Sequence, residues 1–260
     1  MKLAISGKGG VGKSTLAAAL ALLMARSGRK VLTIDADPNA SLAGSLGISV
    51  EKQKTIIPIS QHISLVEERT GAKVKQYGQM FKINPEVSDI ADKYATLHKG
   101  IALLVLGAVK QGGSGCACPE SIFIRALVTD LVLHKNDALI MDMEAGVEHL
   151  GRATASGVDL MLIVVEPGQR SIDCARKVVD MAGEIGLKRI VFVANKIAGA
   201  ADEYFVRNAL GRDSVLGTIP YSEDLRLADR NSKSVLDGLD SDILKRFEDI
   251  LSILEKGGGK

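Results

Sequence analysis

A short apolar segment, a glycine-rich loop and a helix-forming segment follow one another at the start of this chain, and they constrain its fold most. Lys2–Ser6 is predicted to form a β-strand, and Ser14–Ser27 a helix that Gly28 ends. The loop Gly7–Ser14 between them fits the pattern G-x-x-x-x-G-K-[ST]. Glycines let backbone N–H groups approach phosphate oxygens, and a helix N-terminus attracts the same anion. The segment therefore predicts a phosphate-binding loop, with a chance glycine-rich turn as the alternative.

Residues of this loop have distinct expected roles toward ATP and Mg²⁺. Lys13 should neutralise the β- and γ-phosphates, and the Ser14 hydroxyl should ligate the Mg²⁺. Thr15 is expected to cap the helix and to contact the α-phosphate. The residues predicted to contact the nucleotide here are Gly7, Lys8, Gly9, Gly10, Val11, Gly12, Lys13, Ser14 and Thr15.

Strand and helix patterns continue to alternate along the chain. Further strands are predicted at Lys30–Ile34, Ile101–Leu106, Ala138–Met143, Leu160–Val165, Arg189–Ala194 and Val215–Ile219. Helices are predicted at Glu120–His134, Gly146–Ser156, Ser171–Glu184, Asp202–Leu210 and Ser241–Lys256. Residues 50–100 lack a clean period and are predicted to be an insertion with helices and a short hairpin. Continuous apolar strands between helices indicate a doubly wound α/β fold, a mainly parallel sheet covered on both faces.

Composition narrows the class of protein. The 260 residues contain one such loop, which favours a single domain over residues 1–256 and a disordered tail at 257–260. The formal net charge of +2 gives no electrostatic argument for binding nucleic acid or a membrane. Three cysteines do not make a disulfide framework. With no signal-peptide pattern and no apolar run long enough to span a bilayer, we expect a cytoplasmic protein.

Lys8 makes the loop more specific. The stretch Lys8–Thr15, KGGVGKST, resembles the deviant Walker A motif of the MinD, ParA, Mrp and nitrogenase-iron-protein group of P-loop NTPases. In that group the extra lysine reaches the phosphates of the nucleotide in the partner subunit, so the resemblance implies a homodimer that forms with ATP. A second cation would stabilise the charge that develops during phosphoryl transfer, as an arginine finger does. A solvated loop lysine is the alternative.

Carboxylates follow the second predicted strand. By resemblance to the same group, Asp35–Pro38 is the switch I segment. Asp37 then orients the attacking water and, with Ser14, contacts the Mg²⁺, while Asp35 lies near the same ion. A polar turn before the proline is the alternative, chiefly for Asp35.

A third carboxylate ends another apolar strand. Asp142 closes Ala138–Asp142 in a Walker B pattern and is expected to hold the Mg²⁺ through water. Gly146 stands where the group has switch II, and its N–H could bind the γ-phosphate and so report its presence.

Residues after the last strands are candidates for the base pocket. The Asn195 amide has one donor and one acceptor group, which match the N6 and N7 edge of adenine. Pro220 and Tyr221 follow the final strand and could wall the base. We therefore predict the adenine beyond these two strand ends.

Two cysteines form the pair Cys116-Ala117-Cys118. Two thiols cannot close a four-coordinate soft site, whereas two copies of the pair at a dimer axis supply four sulfurs. Thiolates suit Zn²⁺, an Fe–S cluster, Cu(I) or square-planar Ni²⁺. The alternative is a pair of small loop residues without a ligand, and Cys174 is predicted to lie in the core.

Further stretches narrow the resemblance. Asp142–Arg152 (DMEAGVEHLGR), Val165–Pro167 and the cysteine pair look like the CooC family, ATPases that insert nickel into carbon monoxide dehydrogenase, with a close relative that serves acetyl-CoA synthase. The resemblance covers nearly the whole chain, although residues 50–100 match no motif. It implies ATP-dependent dimerisation, a Ni²⁺ or Zn²⁺ site built from Cys116 and Cys118 of both subunits, and a Ni–Fe–S client enzyme.

Two other classes share the phosphate loop. A MinD- or ParA-like positioning ATPase should carry a basic amphipathic terminal helix or a basic DNA-binding face. Here the apolar stripe of Ser241–Lys256 is flanked by balanced charges, which favours packing on the core. An Mrp-like Fe–S carrier usually spaces its cysteines as C-x-x-C or as separated single residues.

Overall fold

A central sheet organises the computed structural model, which describes residues 1–74, 76, 78–107, 118–134, 138–147 and 150–257. Within these residues the strands are β1 (Lys2–Ser6), β2 (Val31–Ala36), β3 (Thr96–His98), β4 (Ile101–Val105), β5 (Ala138–Met143), β6 (Leu160–Val165), β7 (Ile190–Ile197) and β8 (Val215–Pro220). Their order across the sheet is β3-β4-β2-β5-β1-β6-β7-β8. All neighbours are parallel except β3 and β4. The predicted doubly wound, mainly parallel α/β fold is confirmed.

Helices cover both faces of this sheet. They are α1 (Lys13–Arg26), α2 (Leu42–Ser45), α3 (Val50–Gln53), α4 (Ile63–Thr70), α5 (Ile90–Tyr94), α6 (Pro119–His134), α7 (Arg152–Ala155), α8 (Gln169–Glu184), α9 (Ala200–Leu210), α10 (Glu223–Arg230) and α11 (Ser241–Gly257), with 3₁₀ turns at Ile59–Gln61 and Arg212–Ser214. α1, α2 and α11 pack in one core, and α4, α6, α8 and α9 pack in the other.

β6 shows why the strands are apolar throughout. Met161, Ile163 and Val165 enter the core under α6 and α8, whereas Leu162 and Val164 enter the core under α1. Side chains alternate between the faces of a strand, so a strand covered on both faces needs apolar residues at every position.

α1 is the helix that follows the phosphate loop. Every residue from Leu16 to Met24 is buried, because the helix lies between the sheet and α11. A helix that is apolar on all sides is stable only in such a place. Gly28, with a φ of +83°, follows its end and turns the chain toward β2. The phosphate loop thus lies between two buried elements, β1 before it and α1 after it.

Several predictions need correction. The helix predicted at Gly146–Ser156 is observed only as α7, and its N-cap residue, Gly151, has an extended backbone conformation. The short helix α10 was not predicted, since most of its residues are charged. Gly257, predicted to be in the disordered tail, is the last residue of α11.

The insertion at residues 50–100 contains helices and ends in a hairpin, as predicted. β3 and β4 pair antiparallel across Lys99 and Gly100, which both have positive φ. Two such residues fit a two-residue hairpin turn. Among the described helices, none is long and apolar enough to cross a bilayer.

Candidate nucleotide and metal site

The phosphate loop leaves the carboxyl end of β1, between β5 and β6. A Cβ on Gly7 would lie 2.4 Å from the backbone oxygen of Val164 on β6, so only glycine allows this approach. Gly12 has a φ of +98° at the N-cap of α1, and a Cβ there would lie 2.3 Å from the Asn195 side chain. The loop is therefore packed between the ends of β6 and β7, and two of its glycines are required by these contacts.

Asn195 holds the loop from the β7 side. Its side-chain nitrogen donates a hydrogen bond of 2.7 Å to the backbone oxygen of Val11, and the residue is buried. The predicted contact of Asn195 with adenine stays a prediction; in this structure its N–H₂ group positions the loop.

The lysine at the start of α1 is buried. Lys13 is 6% exposed, and its Nζ lies 3.7 Å from Oδ2 of Asp37. Asp37 follows β2 and also accepts the backbone N–H of Asn39 at 2.9 Å. The predicted phosphate-binding lysine and the predicted water-orienting carboxylate therefore lie next to each other. Their roles stay predictions.

The first-turn hydroxyl of α1 has a partner that sequence reasoning missed. Ser14 Oγ lies 2.7 Å from Ser41 Oγ, the N-cap residue of α2. The pair links the phosphate loop to the segment after β2. A serine shortly after the aspartates was the only signal of it in the sequence.

Two carboxylates lie side by side at the ends of β2 and β5, where Asp35 and Asp142 are register partners. Both are completely buried. Burial, with Asp142 as the next contribution, raises the pKa of Asp35 to about 7. Backbone N–H groups of Leu42 and Asp37 donate to Asp35 and oppose this rise. Asp35 therefore holds the segment after β2 against the sheet through the N–H groups of Asp37 and Leu42.

Asp142 is the carboxylate that fits a metal ion. Burial raises its pKa to about 6, against the opposing effects of the Ser14 hydroxyl and the Lys13 ammonium. Neither of its oxygens accepts a hydrogen bond of normal geometry from the described residues. A buried carboxylate without donors is costly unless a cation or its water ligands supply them. The Ser14 hydroxyl and the Asp142 oxygens together are an oxygen donor set suited to Mg²⁺.

Gly146 lies beside the phosphate loop. Its N–H points to the backbone oxygen of Glu144 at 2.8 Å and to Ser6 Oγ at 3.3 Å. Ser6, the last residue of β1, also donates to the backbone oxygen of Glu144 at 2.9 Å. Ser6 therefore links the end of β1 to the segment after β5. The γ-phosphate contact of Gly146 stays a prediction, and it would replace these bonds.

Lys8 is paired within its own chain. Its Nζ lies 3.2 Å from Oε1 of Glu166, the residue that follows β6. Lys196 on β7 lies 3.4 Å from Oε2 of the same carboxylate. It also donates to the backbone oxygen of Gly10 at 2.6 Å. The predicted contact of Lys8 with the partner's nucleotide stays a prediction.

The predicted base-pocket residues lie at neighbouring strand ends. Pro220 ends β8 as the register partner of Ile197, next to Asn195 on β7. Tyr221 is exposed and donates its N–H to the oxygen of Ile197. Pro220 and Tyr221 are thus near Asn195, as the prediction requires, without a contact that tests adenine binding.

Only one cysteine of the pair lies in the described part of the chain. Cys118 precedes α6, where its Sγ accepts the backbone N–H of Ser121 at 3.4 Å and donates to Ser121 Oγ at 3.1 Å. Cys116 and its loop lie outside the described residues. Cys174 is partly buried against the core, as predicted. Among the described residues, no three His, Cys, Asp or Glu side chains group to hold a metal ion.

Comparison with known proteins identifies the family. The family model described as the CobQ/CobB/MinD/ParA nucleotide binding domain matches residues 2–235. The chain is 41% identical over 237 residues to the carbon monoxide dehydrogenase accessory protein CooC of Rhodospirillum rubrum, which covers 91% of this chain and 90% of that protein. The chain belongs to the CooC family within this group.

Two further proteins are similar to this chain over nearly its whole length. An uncharacterized ATP-binding protein of Methanocaldococcus jannaschii is 41% identical over 259 residues, 98% of each chain. A ParA family ATPase from Chlorobium tepidum superposes with a TM-score of 0.70 over 97% of this chain and 98% of its own, at 21% identity. The latter similarity shows the fold alone. With its family and its P-loop, this CooC-family chain is an ATPase.

Proposed function

We propose that this ATPase dimerises with ATP and helps to insert nickel into a Ni–Fe–S enzyme, either carbon monoxide dehydrogenase or acetyl-CoA synthase. The observation that carries the proposal is the 41% identity, over 91% of the chain, to a protein named as a carbon monoxide dehydrogenase accessory protein. The cysteine pair in this chain supports the choice of a metal as cargo.

ATP hydrolysis is assigned to the residues around α1. Lys13 is already buried and faces Asp37 at 3.7 Å. In the proposed reaction the γ-phosphate takes the place of this carboxylate at Lys13, and Asp37 orients the attacking water. Ser14 and Asp37 would hold Mg²⁺, with Asp142 acting through water, and the bound ion would supply positive charge at the phosphates.

Lys8 of each subunit completes the site of the other. A cation supplied from a partner stabilises the charge that develops on the γ-phosphate, and such contacts accelerate phosphoryl transfer strongly. This arrangement also explains why two nucleotides would hold the dimer together.

Nickel is proposed to bind between the subunits. Cys118 lies at the start of α6, and its sulfur is oriented by Ser121. Two copies of Cys116 and Cys118 supply four thiolates, which close a site for Ni²⁺ or Zn²⁺. Hydrolysis opens the dimer and releases the ion to the client.

Transfer of nickel to nickel-free carbon monoxide dehydrogenase tests the proposal. The nickel-loaded chain is mixed with the client and MgATP, and the nickel in the re-isolated client is counted. We expect transfer that requires ATP and is lost in Lys13→Ala and Cys118→Ser. The serine keeps an acceptor for the N–H of Ser121, so the start of α6 is preserved while the thiolate is removed.

Cys174→Ser is the matched control and should transfer nickel like the parent. Equal transfer without ATP, or by Cys118→Ser, contradicts the proposal. Recovery of iron with acid-labile sulfide on the purified chain, in place of nickel, would indicate an Fe–S carrier instead.

A further inference from the structure

Glu166 lies between two cations of its own chain. Its two carboxylate oxygens contact Lys8 at 3.2 Å and Lys196 at 3.4 Å. Lys8 follows β1, Glu166 follows β6, and Lys196 lies on β7. These three strands are neighbours in the sheet. The carboxylate is thus placed beside the phosphate loop by the fold, and each oxygen has its own lysine.

The backbone of Glu166 is fixed as well. Its N–H lies 3.1 Å from the hydroxyl of Ser171, a buried residue of α8. Its carbonyl oxygen accepts the N–H of Gly168 at 2.8 Å. These bonds hold the turn between β6 and α8, so the carboxylate stands on a rigid support.

Lys196 is the second fixed point. It has a φ of +60°, which is uncommon for a residue with a side chain. Its ammonium also reaches the oxygen of Gly10 in the phosphate loop at 2.6 Å. Lys196 therefore keeps the loop and the carboxylate together, while Lys8 has only Glu166 among the ion pairs described.

We propose that Glu166 is a positioning residue for Lys8, which it holds inside its own subunit until the nucleotide of a partner draws the lysine across. This inference rests on the proposed ATP-bound dimer. In the proposed dimer Lys8 leaves Glu166 for the partner's γ-phosphate, so assembly requires that the ion pair open. The Lys8–Glu166 ion pair therefore opposes dimerisation when few of the nucleotide sites hold ATP.

The exposure of the three side chains sets the strength of this restraint. Lys8, Glu166 and Lys196 are 39%, 29% and 43% exposed. Ion pairs exposed to this degree are weak because water screens them. A triphosphate carries more charge than one carboxylate and can displace it. We therefore expect an effect of about threefold to tenfold on assembly rather than a complete block.

Glu166→Gln tests the restraint in two measurements. In the nucleotide-free chain, the rate of acetylation of Lys8, followed by mass spectrometry, should rise about threefold as the ion pair is lost. With a non-hydrolysable ATP analogue, sedimentation should show half-assembly at a protein concentration about threefold to tenfold lower than in the parent. The kcat of the assembled dimer should stay within about twofold of the parent value. A general loosening of the site would change kcat as well.

Glu203→Gln is the matched control, because Glu203 pairs with Arg207 on α9 with similar exposure. It should change neither measurement. Unchanged acetylation of Lys8 in Glu166→Gln, or half-assembly at an equal or higher concentration, overturns the proposed role of Glu166. Failure of the parent itself to dimerise with the analogue contradicts the proposed function instead, and the acetylation result still decides whether Glu166 restrains Lys8.

Discussion

Two buried ionisable residues near the start of α1, Lys13 and Asp142, have few partners for their charge. Lys13 has Asp37 at 3.7 Å, and Asp142 lies among apolar strands without a hydrogen-bond donor of normal geometry in the described chain. Buried charges of this kind are costly without a compensating partner. A nucleotide phosphate with its cation provides such partners for both residues.

Lys13→Ala should lower ATP turnover by at least about a hundredfold, because one buried cation carries much of the charge that stabilises the transferring phosphate. The measurement is phosphate release at saturating MgATP. Lys188→Ala, at an exposed lysine before β7, is the control and should behave like the parent. Turnover of Lys13→Ala within about threefold of the parent would contradict the assignment of the loop.

Asp142→Asn should change how stability depends on pH. Burial raises the pKa of Asp142 in the folded chain to about 6 from 3.8, so between these values the folded state binds more protons than the unfolded state. The stabilisation from protonation is complete below about 3.8 and is lost as pH rises through about 6. At about 1.4 kcal/mol per pH unit, the loss is about 3 kcal/mol.

Asparagine stays neutral and escapes this loss. In the absence of Mg²⁺ and nucleotide, the melting temperature of Asp142→Asn relative to the parent should be higher at pH 8 than at pH 5. Thermal unfolding at the two pH values measures this difference. A difference that is the same at both would show that Asp142 is not a desolvated carboxylate.

Elements differ in how far the sequence predicts them. β1, β5 and β6 have the predicted bounds, because each contains a buried apolar run that polar or glycine residues follow. α10 was missed because it lies at the surface, where only Ala228 is buried, and its sequence therefore has no wide apolar face. Local pattern predicts an element well only where burial dictates its composition.

The candidate site follows the same rule. Three separate motifs predict that Lys13, Asp37 and Asp142 share a site, and the structure places these residues near one another. The contact of Lys8 with Glu166 joins residues 158 positions apart. It depends on β6 lying next to β1, and strand order is not encoded in any local pattern. The Ser14–Ser41 contact likewise depends on how the segment after β2 folds back.

The segment after β2 gives a prediction at this scale. Asp37→Asn should bind ATP but hydrolyse it slowly, because the carboxylate is assigned to the water and not to the phosphates. The ATP-bound dimer should then accumulate, as measured by size-exclusion chromatography with MgATP, while the parent returns to monomer. Loss of nucleotide binding together with hydrolysis would make Asp37 a structural residue or a Mg²⁺ ligand alone.

At the scale of the whole molecule, we propose one dimer interface that contains the phosphate loops and the cysteine pairs of both subunits. Ligands that bind only the dimer stabilise it by RT ln(1 + [L]/Kd), about 2.7 kcal/mol at a hundredfold excess over Kd. ATP and metal should therefore strengthen each other's binding, and hydrolysis should weaken the hold on the metal.

Lys8→Ala tests the assembly half of this account. It should weaken ATP-dependent dimerisation and hydrolysis and leave nucleotide binding to the monomer largely intact, since the lysine acts on the partner's nucleotide. Sedimentation with and without ATP, beside a nucleotide titration, measures both. An unchanged dimer with unchanged turnover would assign Lys8 to the loop of its own subunit alone.

Equilibrium dialysis with Ni²⁺ and with Zn²⁺ tests the central claim most directly. One chain offers two neighbouring thiols, so we expect tight binding to approach one ion per two chains, with an affinity that rises with pH because the thiols must lose protons. Cys116→Ala and Cys118→Ala should each lose this binding, whereas Cys174→Ala should keep it. One ion per single chain, or tight binding that survives both Cys116→Ala and Cys118→Ala, would contradict a metal site shared across the dimer.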